Sequence, residues 1–165
     1  MAKSKLYVLA YHRVNDLEDD VLSVCTKRFR EQINFFKNQG YKSITLREAM
    51  TKKPAGRHVV ITFDDGYQDN YHCAWPILKE FGFTATIFVT AGYIGKEKRF
   101  PWADSLSSYE GLDYCLTREQ IKDLTGEGVE IGSHTLTHPF LAKLPLDQAK
   151  EEIESSKNIL EEIIE

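Results

Sequence analysis

The stretch Val59-Val60-Ile61-Thr62-Phe63-Asp64-Asp65-Gly66-Tyr67 decides how this chain folds: a β-branched apolar run ends abruptly in two adjacent carboxylates and a glycine. It reads as a buried strand that delivers acid to its own end. Neighbouring side chains on a strand point to opposite sides. Asp64 and Asp65 can therefore serve one place together only if the backbone turns at Gly66, which tolerates conformations other residues avoid. The pair is set up for two different jobs, although the same residues could simply cap a strand-to-helix turn.

Working outward, the rest of the chain alternates strand and helix. Residues 6–11 read as a first buried strand, followed by His12, Arg13 and an acidic loop over 16–20. Thr26 can cap a helix with Phe29, Ile33 and Phe36 at helical spacing, stopped by Asn38-Gln39-Gly40. A short strand is expected over 43–46, then a turn or two of helix over 46–50. Beyond Gly66 a helix is expected over 69–81, with Pro76 near its start or kinking it and Gly82 closing it. Another strand follows over 84–89. Residues 92–115 carry Gly95, Pro101, Trp102, Ser107, Ser108 and Gly111 without a clear period, and such long connections are often functional. Thr117-Arg-Glu-Gln120 matches a capping box, Gly126 and Gly128 end its helix, and residues 129–131 form a strand leading into Gly132-Ser-His-Thr-Leu-Thr-His138-Pro139. Asp147 is expected to cap a last helix with Ala149, Ile153, Ile159 or Leu160, and Ile163 on its apolar side.

This order, without Asn-Gly hairpin signals, argues a parallel sheet with helical crossovers. About five strands give an open α/β sheet or part of a barrel, with the strands' C-terminal ends on one rim. His12, Asp64, Asp65, His134 and His138 fall on that rim.

At 165 residues with 42% hydrophobic content the chain suits one globular domain. Its 21 basic and 25 acidic residues include no basic block, which excludes a phosphate-tracking, nucleic-acid-binding surface. Cys25, Cys73 and Cys115 are odd in number and widely spaced, so they read as buried, reduced thiols rather than disulfides or a thiolate metal site. Lys3 and Lys5 precede residues 6–11, but that apolar run is too short for a signal-peptide core or a membrane span.

His134 and His138 are four apart, so a helical turn or a tight loop can bring both imidazoles to one point. Two histidines and one carboxylate make a facial site for Zn²⁺ or a similar divalent ion, with positions left open for water and substrate. Asp65 is the candidate third ligand. Asp64, beside it, could take the proton of a water whose acidity the cation has raised. Each residue also has a plain structural reading, as a cap, a core histidine or a surface residue before proline; what favours chemistry is their meeting at the ends of parallel strands.

Thr62-Phe-Asp-Asp-Gly66 followed by Ser133-His-Thr-Leu-Thr-His138 resembles the first two motifs of the polysaccharide deacetylases, the family with NodB homology also called carbohydrate esterase family four. The likeness covers most of the chain, including residues 85–89. It implies a distorted (β/α) barrel that removes N-acetyl or O-acetyl groups from polysaccharides with a metal, and it makes residues 1–165 one such domain. It also implies Asp64 as general base and Asp65, His134 and His138 as holders of one divalent ion, usually zinc, with cobalt and nickel accepted. His12, Tyr67 and Trp102 are candidates for supporting the site or binding substrate. Tyr11-His12 with residues 29–41 looks most similar to the branch acting on poly-N-acetylglucosamine.

The family's later motif with an arginine, and its late Leu-x-His that supplies the general acid, have no counterpart here. The domain is therefore expected to lack its C-terminal part, to self-associate through an open barrel flank, and to use His12 as acid only if it reaches the leaving-group side. Two other classes compete. A non-haem iron oxygenase is disfavoured by the α/β pattern. A catalytically impaired carbohydrate-binding or scaffold domain of the same fold, its chemistry idle for want of the late acid, would use Tyr93, Phe100, Trp102 and Tyr109 to stack on sugars.

Overall fold

A computed structural model describes residues 5–17, 21–52, 54–97, 99–103 and 112–165. In chain order the elements are β1 (Lys5–Tyr11), β2 (Arg13–Val14), β3 (Ser23–Val24), α1 (Thr26–Asn38), β4 (Lys42–Ser43), α2 (Leu46–Lys52), β5 (Arg57–Phe63), α3 (Trp75–Phe81), β6 (Thr86–Val89), α4 (Arg118–Gly126), β7 (Glu130–Ser133) and α5 (Leu146–Ile164).

The apolar run that ends at Asp64 is the centre of the sheet. β1 pairs with β5 along its whole length, β4 and β6 pair with its other edge, and β7 lies beyond β6. Every pairing is parallel, as strands joined by helical crossovers require. Val59, Val60, Ile61 and Phe63 are buried because β5 has strands paired on both of its edges, and Val59, Ile61 and Phe63 face the hydrophobic core. Strands β2 and β3, not foreseen from the sequence, form a separate parallel pair. The expected α/β architecture, mainly parallel and with its C-terminal strand ends on one rim, is the one observed. Among the described residues no helix is long and apolar enough to cross a membrane.

Several local expectations need correction. β1 forms where expected but is not buried: Leu6, Tyr7 and Val8 are 48%, 47% and 57% exposed, since β1 is an edge strand with β5 as its one neighbour. Thr26 is the first residue of α1 rather than its cap. The N-cap is Cys25, which gives no side-chain bond, and the first turn is held from ten residues upstream of Thr26, where the Asp16 carboxylate accepts from the Thr26 N–H (2.8 Å) and hydroxyl (2.6 Å). Asp147 likewise sits inside the first turn of α5, whose N-cap is Pro145. The helix expected over 69–81 is split into a wide π turn, Asn70–Ala74, and then α3, because Pro76 in the first turn has no N–H to donate back. Of the last helix, Leu160 and Ile163 reach the core whereas Ile153 stays exposed. All three cysteines are free, but Cys115 alone is buried, with Cys25 and Cys73 half-buried.

The capping box is present in full: Thr117 Oγ1 accepts from the Gln120 N–H (3.2 Å) and Gln120 Oε1 from the Thr117 N–H (2.9 Å). Within 92–115 the described parts include short 3₁₀ turns, Ala91–Tyr93 and Pro101–Ala103. Ser107, Ser108, Tyr109 and Gly111 lie outside the described residues, as do Lys3 and positions 18–20.

Candidate metal centre

Two strand ends build the site. At the end of β5 the Asp64 N–H donates to the Tyr11 carbonyl (2.9 Å), which ties the carboxylate turn to the end of β1 and sets Asp64 next to His12. Asp65 then takes a left-handed φ of 70° and Gly66 one of 78°, which turns the Asp65 side chain inward until it is 2% exposed. Asp is among the side chains that tolerate this region, and glycine is at home there. A Cβ at Gly66 would also press on Val89 at 3.1 Å.

At the end of β7 the His134 N–H donates to the Val89 carbonyl (2.9 Å), and a tight loop follows rather than a helical turn. Thr135 and His138 are left-handed at φ 65° and 63°; with Asp65 they are the non-glycine residues of positive φ among those described, so all of this strain lies at the site. The loop is pinned from outside. The Ala91 and Gly92 N–H groups donate to the Thr135 and Leu136 carbonyls (3.1 and 2.8 Å). A Cβ at Gly92 would stand 2.4 Å from the Leu136 oxygen, so glycine is required for that approach. From α5, Glu152 accepts from the Leu136 N–H (2.9 Å), the Thr137 N–H (2.8 Å) and the Thr137 hydroxyl (2.6 Å). The His138 N–H closes the loop on Thr135 Oγ1 (2.9 Å).

These turns bring His134 Nε2 and His138 Nε2 each to 3.4 Å from Asp65 Oδ1. All three donor atoms lie within 4.8 Å of one another. The imidazoles are 31% and 37% exposed, so the group is a buried carboxylate facing two rim histidines. Asp65 Oδ1 is buried without a hydrogen-bond partner, while Oδ2 accepts from Trp102 Nε1 (3.3 Å). A buried carboxylate oxygen left without a donor is costly unless a cation sits opposite it. Nitrogen and oxygen donors of this kind suit Zn²⁺, and two bonds of about 2.1 Å at a tetrahedral angle set donors roughly 3.4 Å apart. The residues fit a divalent ion.

Burial holds the His134 pKa below the usual histidine value; the Asp65 and Asp64 charges oppose this, and the His138 and His12 charges add to it. His12 is thus within electrostatic reach of His134. A hollow of about 610 Å³, lined by Pro139, Phe140, Leu141 and Ile153 among others, opens beside the two histidines.

Asp65, His134 and His138 therefore meet, and the charges of Asp64 and His12 on the same rim reach His134. Tyr67 does not face the opening: it is fully buried beneath the Arg13 guanidinium (4.8 Å to its ring) and packs on Phe100, and burial pushes its hydroxyl pKa up. Phe100 is fully buried and Tyr93 partly so, which makes them packing residues, and Tyr109 lies outside the described residues. Glu152 and Gly92 hold the histidine loop without a signal in the sequence, and Thr135 stands inside the motif at 133–138 with nothing there to announce its backbone conformation. The Glu152 contact is tertiary, so no local pattern announces it.

An α/β protein with a candidate metal centre on the C-terminal rim of a parallel sheet is the class that fold and site define. The chain belongs to the polysaccharide deacetylase family, whose profile matches residues 51–165. It is 34% identical over 163 residues to the polysaccharide deacetylase-named YxkH protein of Bacillus subtilis, an alignment covering 96% of this chain and 52% of that one. It is 31% identical over 118 residues to the poly-β-1,6-N-acetyl-D-glucosamine N-deacetylase of Staphylococcus aureus, covering 68% of this chain and 37% of the relative. Among solved structures, the Streptococcus pyogenes deacetylase PplD in complex with acetate superimposes with a TM-score of 0.79 at 27% identity, covering 96% of this chain and 69% of that one. The chain thus spans about half the length, or less, of these curated relatives. The fold is that of the (β/α) barrels of NodB-type deacetylases.

Proposed function

We propose that residues 1–165 form a polysaccharide deacetylase domain that hydrolyses N-acetyl groups of an N-acetylated polysaccharide with the help of one divalent ion, zinc in the first place and cobalt or nickel as alternatives. The observation that carries this reading is the buried, unpartnered Oδ1 of Asp65, 3.4 Å from the Nε2 atoms of both His134 and His138. Those three residues would hold the ion, which when bound would make a water more acidic and polarise the acetyl carbonyl. The likeness to the S. aureus enzyme favours poly-N-acetylglucosamine as the polymer.

Asp64 is the base: it lies at the same turn, half-exposed on the rim, and its charge reaches His134. It takes a proton from the attacking water as the carbon–oxygen bond forms. His12, which shares the rim, would protonate the departing amine as the carbon–nitrogen bond breaks only if it reaches the leaving-group side, giving acetate and a free amine. Of the other histidines, His58 lies at the opposite end of β5, and His72 engages Gln120 on the outer surface (3.1 Å). Of the aromatics that a binding module would use, Phe100 is internal and Tyr93 and Trp102 are partly buried. The exposed β1 edge with Leu6, Tyr7 and Val8 supports self-association of this chain, which sedimentation would detect.

Acetate release from N-acetylglucosamine oligomers, run with and without added zinc and alongside metal analysis, tests the reading. Metal-dependent release and loss of bound metal in His134→Ala are expected; equal metal in both proteins would remove the site.

A further inference from the structure

We propose that Trp102 is a positioning residue of the metal centre, aiming the Asp65 carboxylate and walling His138, and not a platform for sugar rings. The inference rests on the metal-site reading above.

A carboxylate turns about its last bond, so fixing one oxygen sets the direction of the other. The indole Nε1–H, a donor only, binds Asp65 Oδ2 (3.3 Å) and leaves Oδ1 towards the two imidazoles. The same indole stacks on the ring of His138, the more exposed of the two histidines, with centroids 4.2 Å apart and planes at 29°. One side chain therefore touches two of the three candidate ligands. Partners of this kind, which orient ligands without binding metal, typically contribute 10- to 100-fold in metal affinity.

The indole is itself held. Phe100, fully buried, stacks on it at 4.6 Å and 19°, and Tyr93 meets it edge-on at 5.6 Å. Phe100 in turn packs against Tyr67, two residues beyond Asp65. Phe100 and His138 both stack on the indole and Tyr93 meets its edge, so little of its ring surface is left for a sugar. Its remaining chemistry is the N–H, and that points at Asp65.

Trp75 and Trp102 are the two tryptophans of the chain, so Trp75→Phe leaves Trp102 as the single indole fluorophore. In that protein, Co²⁺ binding is expected to quench the emission, and His134→Ala in the same background is expected to abolish the quenching. Trp102→Phe keeps a stacking ring but loses the N–H, and its Co²⁺ affinity, measured by competition with a chelator, should fall about 10-fold; Trp102→Ala should fall further towards 100-fold. Unchanged affinity in Trp102→Phe would overturn the proposal, as would a raised KM for N-acetylglucosamine oligomers with metal affinity intact. If the alanine variant does not fold, the phenylalanine variant and the fluorescence titration still decide. If His134→Ala binds Co²⁺ like the parent, the metal-site reading fails; if it loses Co²⁺ while Trp102→Phe does not, the role of Trp102 alone fails.

Discussion

The two strand ends that make the site solve one problem in opposite ways. The β5 turn enters the left-handed region with Asp65 and Gly66, residues that tolerate it, and is buried. The loop after β7 enters the same region with Thr135, a β-branched residue for which it is a true outlier, and lies half-exposed. The first turn keeps its shape because its own residues prefer it and the core surrounds it. The second keeps its shape because other elements hold it, through Glu152 on α5 and the Ala91 and Gly92 N–H groups. One candidate ligand thus comes from the buried core and two from a clamped loop, so changes at the two ends should fail differently.

The largest effect is expected at the β5 turn, where two adjacent carboxylates have separate assignments. Asp64→Asn should lower deacetylation by roughly 10²- to 10⁴-fold, the usual contribution of a positioned base, with bound metal unchanged. Asp65→Asn should lose the metal itself. Metal analysis beside initial rates reads both, and metal loss in Asp64→Asn with retention in Asp65→Asn would mean the two roles are exchanged.

Beneath the β5 turn lies a buried ion pair that the loop after β7 lacks. Arg13 Nε donates to Asp69 Oδ2 (3.0 Å), Asn15 Nδ2 donates to the same oxygen (2.8 Å), and both charged side chains are fully buried. Burial raises the Asp69 pKa from 3.8 to about 6, against the opposing pull of Arg13 and Asn15. A carboxyl whose pKa is higher folded than unfolded favours the folded state most when protonated. Its contribution is therefore complete below about pH 4 and is lost as pH rises through about 6. Relative to Asp69→Asn, unfolding free energy should fall by on the order of 3 kcal/mol between those limits. Urea midpoints at pH 4 and pH 7 measure it, and parallel behaviour of the two proteins would show that the pair does not titrate this way.

A smaller loss is expected when the clamp on the histidine loop is cut. Glu152→Ala removes an acceptor of three hydrogen bonds without touching a ligand, and metal affinity should drop about 10-fold, the low end for a supporting residue. Glu152→Gln, which keeps an acceptor oxygen, should recover part of it. Isothermal titration with Zn²⁺ gives the comparison, and full affinity in Glu152→Ala would show that the loop holds its own shape.

What the sequence revealed follows the same division. The β5 strand, its two aspartates and the glycine were legible because apolar run, acid pair and turn are contiguous in the chain. His134 and His138 were legible as a pair, and the family likeness strengthened them. The exposure of β1 was not legible, since it depends on which strands flank it rather than on its apolar side chains. Nor were the hold of Asp16 on Thr26, the grip of Glu152 on Leu136 and Thr137, or the bond from Trp102 to Asp65, each a contact between distant residues. The left-handed Thr135 was hidden for another reason: nothing in a threonine predicts a conformation that threonine disfavours.

That residue gives the smallest and most discriminating prediction. Thr135 supports a φ of 65° against its β-branch, and its Oγ1 accepts the His138 N–H. Asparagine tolerates the left-handed region and offers a side-chain oxygen for the same bond. If outside contacts alone hold the loop, Thr135→Asn should relieve strain and raise stability by up to about 1 kcal/mol, the low end of what such a backbone conformation costs, with metal affinity unchanged. Thermal unfolding with and without Zn²⁺ reads both quantities. A gain in stability accompanied by weaker metal binding would mean instead that the strain itself aims His134 and His138, and that the loop after β7 is spring-loaded where the β5 turn is relaxed. A loss of stability would show that the threonine methyl has a packing role that outweighs its backbone cost, and the contrast between the two strand ends would not hold.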